Sequence, residues 1–446
     1  MYTTAHDLDR PQWDISSPLH NKLSAEDRPI HAWYRFVLSF PPHLVRQYLT
    51  KFQIMPGDVV LDPFCGTGTT IVECKKNGIA SVGFEANSMA ALASRTKTDW
   101  SISPAELSRI ARWIAERANK EIEELLPRSE AATLSNIARE AEQFNLYGLR
   151  CLDCDAAALI LKDSISPRPL HRALVLKKWI ASAPSELTNH LLLALAWTLV
   201  TRAGNLKFGP EVGVSKPKFD VDVVGEWLSH CERMSTDIET YNDRRNIPSQ
   251  LIQADSRDVS QLEDCSISAV FTSPPYPNEK DYTRTTRLES VILGHINNKK
   301  ELRELKQGLL RSNTRNVYVA DDDHLFVRDV PEIEQIAQEI ERRRIALGKT
   351  SGFEKLYHKA AKLYFGGMAR HLDSLRPKLR PGALLGYVVG DQASYLQVHI
   401  PTGDLLGQIA KSQGYEVVSL DLFRTRLATA TKQQLREEVL VLRWPG

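Results

Sequence analysis

The sequence carries almost no net charge: 57 Lys and Arg against 55 Asp and Glu leave +2 over 446 residues. Overall charge therefore gives no argument for nucleic-acid binding, and any face for a polyanion has to be a local cluster. Long apolar runs are also missing. The longest, residues 190–200, falls far short of the ~20 residues that cross a bilayer, and the opening MYTTAHDLDRPQWD lacks a signal-peptide pattern. A cytoplasmic protein without membrane association is expected. Cysteine is scarce, six in all, which in such a chain implies reduced thiols and not a disulfide framework. Cys151 and Cys154 have metal-ligand spacing, but His171, His230 and Cys231 supply no matching second pair, so no metal site is expected. Internal repeats and low-complexity blocks are absent.

What is present is an ordinary globular composition, 42% hydrophobic and 25% charged, in a chain long for one domain. A catalytic domain with a large insertion, or two domains, is the expectation. Residues 33–51 read as an apolar turn and an amphipathic helix entered near Pro42. Then come a strand at 58–62, a Gly/Thr turn at 66–70, a helix at 71–77 and a strand at 80–85. That is a βαβ unit with a Gly-rich first turn, the opening of a doubly wound sheet. Residues 89–246 are helical in pattern without a strand of the sheet, most clearly amphipathic at 104–126 and most apolar at 187–202. Strand character returns at 250–255 and 267–272. A second charged, helical stretch starts at 285, with an acidic loop at 320–324 and a helix at 330–347. Arg380-Pro-Gly breaks the chain before a strand at 383–389, and a helix follows at 403–413. Strands at 416–423 and 437–444 are joined by a Thr-rich loop, as an antiparallel edge pair closing a parallel sheet would be. The sum is an α/β fold: a seven-stranded, doubly wound, Rossmann-like sheet with large helical insertions.

Chemistry concentrates at strand ends. In Asp62-Pro63-Phe64-Cys-Gly66-Thr-Gly68-Thr69-Thr70 a strand ends in a carboxylate and turns through two glycines into a helix. The glycines let the backbone approach a ligand, and the N–H groups of the helix start favour a carboxylate. A phosphate-binding loop would carry a Lys that is missing here. A ligand with an amino-acid moiety fits, its carboxylate on the N–H groups and its ammonium near Asp62. Glu85 stands close to the ~20-residue spacing at which an acid accepts from ribose hydroxyls, and Asp255 is placed to accept from an adenine amine. Taken singly, each acid could be a helix cap or a solvated turn residue.

Ser273-Pro274-Pro275-Tyr276 follows the apolar strand 267–272. Two prolines stiffen the chain and remove two donors, leaving carbonyls and the Ser273 hydroxyl as acceptors beside a flat aromatic ring. Such a site can hold a base whose amine donates twice while its face is stacked. The bland alternative makes Ser273 a turn residue and Tyr276 a core ring.

Together the two motifs resemble the amino-methyltransferases of bacterial restriction-modification systems, the first matching their cofactor motif and the second their catalytic motif. Ser39-Phe-Pro-Pro resembles the family's helix-entry motif beside the cofactor, and Gly390-Asp391 the end of its fifth strand. The resemblance implies a methyltransferase sheet, S-adenosylmethionine as methyl donor, double-stranded DNA as substrate, and a cognate restriction endonuclease as companion. In that family Ser at the head of the tetrapeptide goes mostly with cytosine-N4 methylation, and Asp or Asn with adenine-N6. Cytosine-C5 chemistry is excluded, because it needs a Pro-Cys nucleophile and none of Cys65, Cys74, Cys151, Cys154, Cys231 or Cys265 follows a proline. Adenine-N6 methylation presents the same two hydrogens to the same acceptors and stays open. Guanine-N2 methylation of RNA is a further alternative, although no RNA-binding module is recognisable. A binding module with a relic pocket is disfavoured by two intact motifs.

The domain reading is 33–97 for the cofactor half, 98–246 for a helical insertion and candidate DNA-recognition region, 247–284 for the catalytic segment, 285–360 for a second helical insertion, and 361–446 for the C-terminal strands. Lys207, Lys216 and Lys218 lie in a Gly/Pro-rich basic loop, and Tyr282, Arg284 and Arg287 follow the catalytic motif; these are the candidate DNA contacts. Arg311, Arg315 and the arginines at 342–344 read as exposed helix charge. Oligomeric state and recognition sequence are not legible.

Overall fold

The runs Val-Val-Leu-Asp, Ala-Ser-Val-Gly-Phe and Ile-Ser-Ala-Val-Phe-Thr are short, largely apolar and rich in β-branched residues, the signature of strands covered on both faces. In the computed structural model, which describes residues 23–36, 39–125, 149–209, 211–278, 280–427 and 434–446, they become β1 (Val59–Asp62), β2 (Ala80–Phe84) and β6 (Ile267–Thr272). Between them lie β3 (Leu206–Phe208), β4 (Val212–Val214) and β5 (Ser249–Ile252); beyond them come β7 (Leu379–Gly390), β8 (Glu416–Leu427) and β9 (Gln434–Arg443). Seven of these make one sheet in the order β5-β2-β1-β6-β7-β9-β8. β1 pairs parallel with β2 and β6, while β9 runs antiparallel to both β7 and β8. The chain winds outward from β1 to β2 and β5, then returns to β6 on the other side of β1. The crevice past the ends of β1 and β6 is thus a topological switch point, where doubly wound sheets bind ligands.

Alternation along the strands sorts side chains between two cores. Leu61, Val270, Leu385 and Tyr387 pack with the helices Tyr357–Leu375 and Thr402–Ser412 on one face. Val60, Ala269, Phe271 and Val388 pack with the helix Pro42–Lys51 on the other. Phe271 stacks on Tyr48 with centroids 4.9 Å apart; truncating it to Ala should cost about 3–5 kcal/mol. The helices Pro104–Leu125, Pro167–Ile180, Ser185–Thr198 and Val223–Thr240 bury a third core around Leu176, Leu191 and Trp227. This core also takes in Trp33 and Tyr34 ahead of the first strand and Leu288 and Ile292 after β6, so the helical region is fastened to both sides of the catalytic segment.

The structure departs from the sequence reading in several places. The stretch read as a basic loop holds the hairpin β3–β4, pairing Leu206 with Val214; three-residue strands are too short for a periodicity test. β5 ends at Ile252, so Asp255 lies beyond it. β7 begins at Leu379 and runs through Pro381 and Gly382, the irregularity being absorbed where its register against β6 shifts between Ile267 and Ala269. Arg311 is not exposed: it is 4% accessible and paired with Asp321 at 2.9 Å. In the segment 285–360, Ile333 and Ile340 pack in the same core as Tyr364 and Phe365. The loop between β8 and β9, the 1–22 lead and 126–148 lie outside the described residues. Among the described residues no helix is long and apolar enough to cross a membrane.

Candidate functional site

β1 ends on Asp62, a fully buried carboxylate. It accepts from Thr272 Oγ1 at the end of β6 (2.6 Å) and from the main-chain N–H of Phe64 (3.2 Å), while its Oδ2 has no partner. Burial pushes its pKa up to about 6 against the opposing Thr272 hydrogen bond. Thr70 Oγ1 donates to the Phe271 carbonyl (3.1 Å), a second tie between this loop and β6. Gly66 (φ +53°) and Gly68 (φ +86°) are left-handed, as glycine allows. A Cβ on Gly68 would come within 3.2 Å of Ser94, whereas one on Gly66 would enter open space.

Glu85, just past β2, accepts from the N–H groups of Gly66 (2.8 Å) and Asn87 (2.7 Å). Burial raises its pKa to about 7. The helix Ser88–Thr98 straps the loop from behind: Ser94 Oγ donates to the Gly66 carbonyl (2.6 Å) and Lys97 Nζ to the Thr67 carbonyl (3.0 Å). Lys97 is 1% accessible, and burial lowers its pKa to about 7. Neither Ser94 nor Lys97 belongs to a motif. Their only signal is helical spacing after the second strand.

One cavity of about 580 Å³ joins the two motifs. Ser39, Pro63, Phe64, Gly66, Thr69 and Glu85 line one part, and Ser273, Pro274, Pro275 and Tyr276 line another. Asp62, Gly68 and Thr70 stand behind that wall. Asp255 is outside it as well, although Ala254 and Ser256 line it. The Asp255 carboxylate is held by Arg257 Nε (3.0 Å) and Nη2 (2.5 Å). Ser273 Oγ donates to the Val388 carbonyl on β7 at 3.1 Å. Tyr276 is half-buried, its hydroxyl pKa raised by burial and by the nearby Glu437. The sequence reading missed other parts of the wall, among them Gln392, Lys280, and the strand residues Arg424, Arg426 and Glu437. Nothing in the last three marks them before the pairing of β8 and β9 is known.

Of the candidate DNA contacts, Lys207 and Lys216 are exposed on or beside the hairpin. Lys218 Nζ donates to the carbonyls of Arg202 and Gly204, both at 2.8 Å. Tyr282 lines the cavity. Arg284 pairs with Glu211 of the hairpin at 3.3 Å, and Arg287 folds back on the Thr283 carbonyl (3.1 Å) and hydroxyl (2.8 Å).

Glu85, Gly66 of the Gly turn and the Ser273–Tyr276 tetrapeptide thus line one cavity of about 580 Å³. Comparison with known proteins bears on the family to which such a chain is similar. The profile of a DNA methylase family matches residues 10–94. The Type II methyltransferase M.BsoBI of Geobacillus stearothermophilus is 25% identical over 436 residues, 92% of this chain and 83% of that protein. The Type II methyltransferase M.AvaI of Nostoc sp. is 21% identical over 459 residues, covering 96% of this chain and 90% of its own length. The Type II methyltransferase M.MjaII of Methanocaldococcus jannaschii is 34% identical over 87 residues, 19% of this chain and 16% of its own.

Proposed function

We propose that this chain, a member of the DNA amino-methyltransferase family, moves a methyl group from S-adenosylmethionine to the N4 amine of cytosine within a specific sequence of double-stranded DNA. The observation that carries the reading is the shared cavity: the Gly66 and Glu85 wall and the Ser273–Tyr276 wall bound the same space. Restriction-modification, with an endonuclease directed at the same unmethylated sequence, is the setting this implies.

The cofactor-side residues fit the group. Gly66 leaves open the space a Cβ would fill, and the loop N–H groups suit a carboxylate. Glu85 spends two of its acceptor sites on backbone N–H groups, leaving others for ribose hydroxyls. Asp62 braces the loop and puts a negative charge behind it. S-adenosylmethionine supplies an electrophilic methyl group.

On the other side the chain positions the acceptor. A duplex hides the amine, so the base turns out of the stack, at a cost of a few kcal/mol that stacking on Tyr276 and backbone contacts offset. The amine lone pair is delocalised into the ring and is a weak nucleophile. Ser273 Oγ and the Pro274 carbonyl accept its two hydrogens, drawing it toward a tetrahedral shape as positive charge develops. This is preorganised electrostatics and positioning, without a covalent enzyme intermediate. Ser at the head of the tetrapeptide favours cytosine over adenine. Lys207, Lys216 and Arg284 contact the DNA backbone, Tyr282 lies against the turned-out base, and Lys218 and Arg287 hold the segments that carry them.

Transfer of a tritiated methyl group from S-adenosylmethionine to unmethylated, PCR-amplified DNA tests the reading. Label in DNA supports it, and wild-type protein that binds the donor but labels no DNA sinks it.

A further inference from the structure

Part of the wall of the cavity that Gly66 and Glu85 line is built by the C-terminal strands. Gly390, Glu437 and Arg424 are register partners across β7, β9 and β8. A Cβ on Gly390 would come within 3.1 Å of both Tyr276 Cε2 and Glu437 Cγ, so the missing side chain lets the aromatic platform and this carboxylate sit together. Glu437 is 7% accessible and is held from two sides, by Arg424 Nε at 2.5 Å and by Arg426 Nε at 3.4 Å. Arg426 Nη2 also donates to the Asp391 carbonyl at 2.6 Å. These contacts fix both guanidinium planes and leave Arg424 Nη1 and Nη2 and Arg426 Nη1 without hydrogen-bond partners among the described residues.

Lys280 joins them from the segment after Tyr276. It is half-buried, lines the same cavity, and has no hydrogen-bond partner for Nζ among the described residues. Burial and the neighbouring Arg426 lower its pKa, opposed by Glu437 and Glu211. Glu211 is itself matched by Arg284. Three cations therefore line the cavity around the buried carboxylate of Glu437, Glu211 beside Lys280 being matched by Arg284 and Glu85 belonging to the Gly-turn side. Fixed, half-desolvated and undercompensated, such a group is a site for an anion.

We propose that Arg424, Arg426 and Lys280 clamp a backbone phosphate flanking the turned-out nucleotide. The proposal rests on the DNA-methylation reading above and extends it to the part of the substrate that is not the base. A nucleotide leaving the stack carries its flanking phosphates with it. A phosphate fits the forked edges of two guanidiniums, whereas the neutral edge of a base leaves the excess charge unanswered.

The test compares full-length wild type, Lys280→Gln and Arg426→Gln in methyl transfer to unmethylated, PCR-amplified DNA at several salt concentrations, after melting curves. Lys280→Gln breaks no hydrogen bond among the described residues, so it reads the clamp even if Arg426→Gln unfolds. For each variant we expect KM for DNA to rise about tenfold, kcat to stay within about threefold, and the log–log salt slope to fall by about one. Affinity for S-adenosylmethionine stays unchanged, and Arg426→Lys restores the slope. A neutral methylphosphonate beside the mapped target base gives a loss that is not additive with Lys280→Gln. Wild-type KM and slope in both variants, or full additivity, overturn the clamp. A wild-type protein that transfers no methyl to DNA removes the underlying reading instead, and the clamp with it.

Discussion

Ser273 Oγ lies 3.1 Å from the Val388 carbonyl, and since a carbonyl can only accept, the hydroxyl proton points at β7. With that proton committed, and with the Tyr276 hydroxyl as a neighbouring partner, the oxygen keeps a lone pair to accept with, the state an acceptor of an amine hydrogen needs. The preceding residue turns the opposite way: Thr272 gives its proton to Asp62 on β1 at 2.6 Å. Two consecutive hydroxyls thus pin the end of β6 to both neighbouring strands, one serving the cofactor loop and the other the amine.

Ser273→Ala should lower kcat about 10–100-fold, roughly 1.4–2.8 kcal/mol of transition-state stabilisation. The lost hydrogen bond to Val388 costs only about 1 kcal/mol of stability. Titration calorimetry should find S-adenosylmethionine affinity nearly unchanged. If melting temperature and cofactor binding fall together with turnover, Ser273 is a turn residue and nothing more.

Tyr276→Ala should behave differently. Losing the stacking platform, worth about 1–3 kcal/mol per base, raises KM for DNA as well as lowering kcat. Stable, cofactor-binding Ser273→Ala and Tyr276→Ala proteins that both keep wild-type transfer rates would overturn the catalytic assignment.

The pH dependence of cofactor binding should report Glu85. Burial raises its folded-state pKa from 4.5 to about 7. Because the folded state binds this proton more tightly, Glu85 contributes stability to the free protein below pH 4.5, and that contribution is lost as pH rises through about 7. Ribose hydroxyls donate to the ionised form, so cofactor affinity should run the other way, rising through pH 7 and levelling above it. Glu85→Gln should flatten both profiles and weaken binding by about 1.5–3 kcal/mol. Calorimetry from pH 6 to 8 that shows a flat wild-type affinity removes Glu85 from the ribose contact.

Lys97 has the opposite sign. Its pKa is lowered from 10.5 to about 7, so the folded state sheds this proton, and stability drops as pH falls through 7. Lys97→Met should melt higher than wild type below pH 7, yet bind S-adenosylmethionine less tightly, because the Thr67 carbonyl loses its strap. Equal melting temperatures of the two proteins at pH 6 would contradict the assignment.

The sheet was legible because its strands are apolar runs punctuated by Gly, Pro and Asp, and β6 was placed to the residue. The hairpin β3–β4 was not, since alternation over three residues carries no signal. Within the site, the parts borne on one continuous segment, such as residues 62–70 and 273–276, could be read directly. Residues that meet only through strand pairing could not. Glu437 joins Arg424 across β8 and β9, and Ser94 and Lys97 reach the Gly turn through helix packing. The surroundings of Asp255 were not legible either: β5 ends at Ile252 and the Asp255 carboxylate is paired with Arg257, a contact that depends on the local turn.

The central claim is tested most directly by digesting to nucleosides the DNA of cells expressing this chain, with the Ser273→Ala variant as control, and weighing the products by mass spectrometry. The account predicts N4-methylcytosine with the wild type and a sharp reduction with the variant. N6-methyladenine in its place would contradict the cytosine assignment, and the absence of any new methylated base would contradict the DNA methyltransferase reading itself.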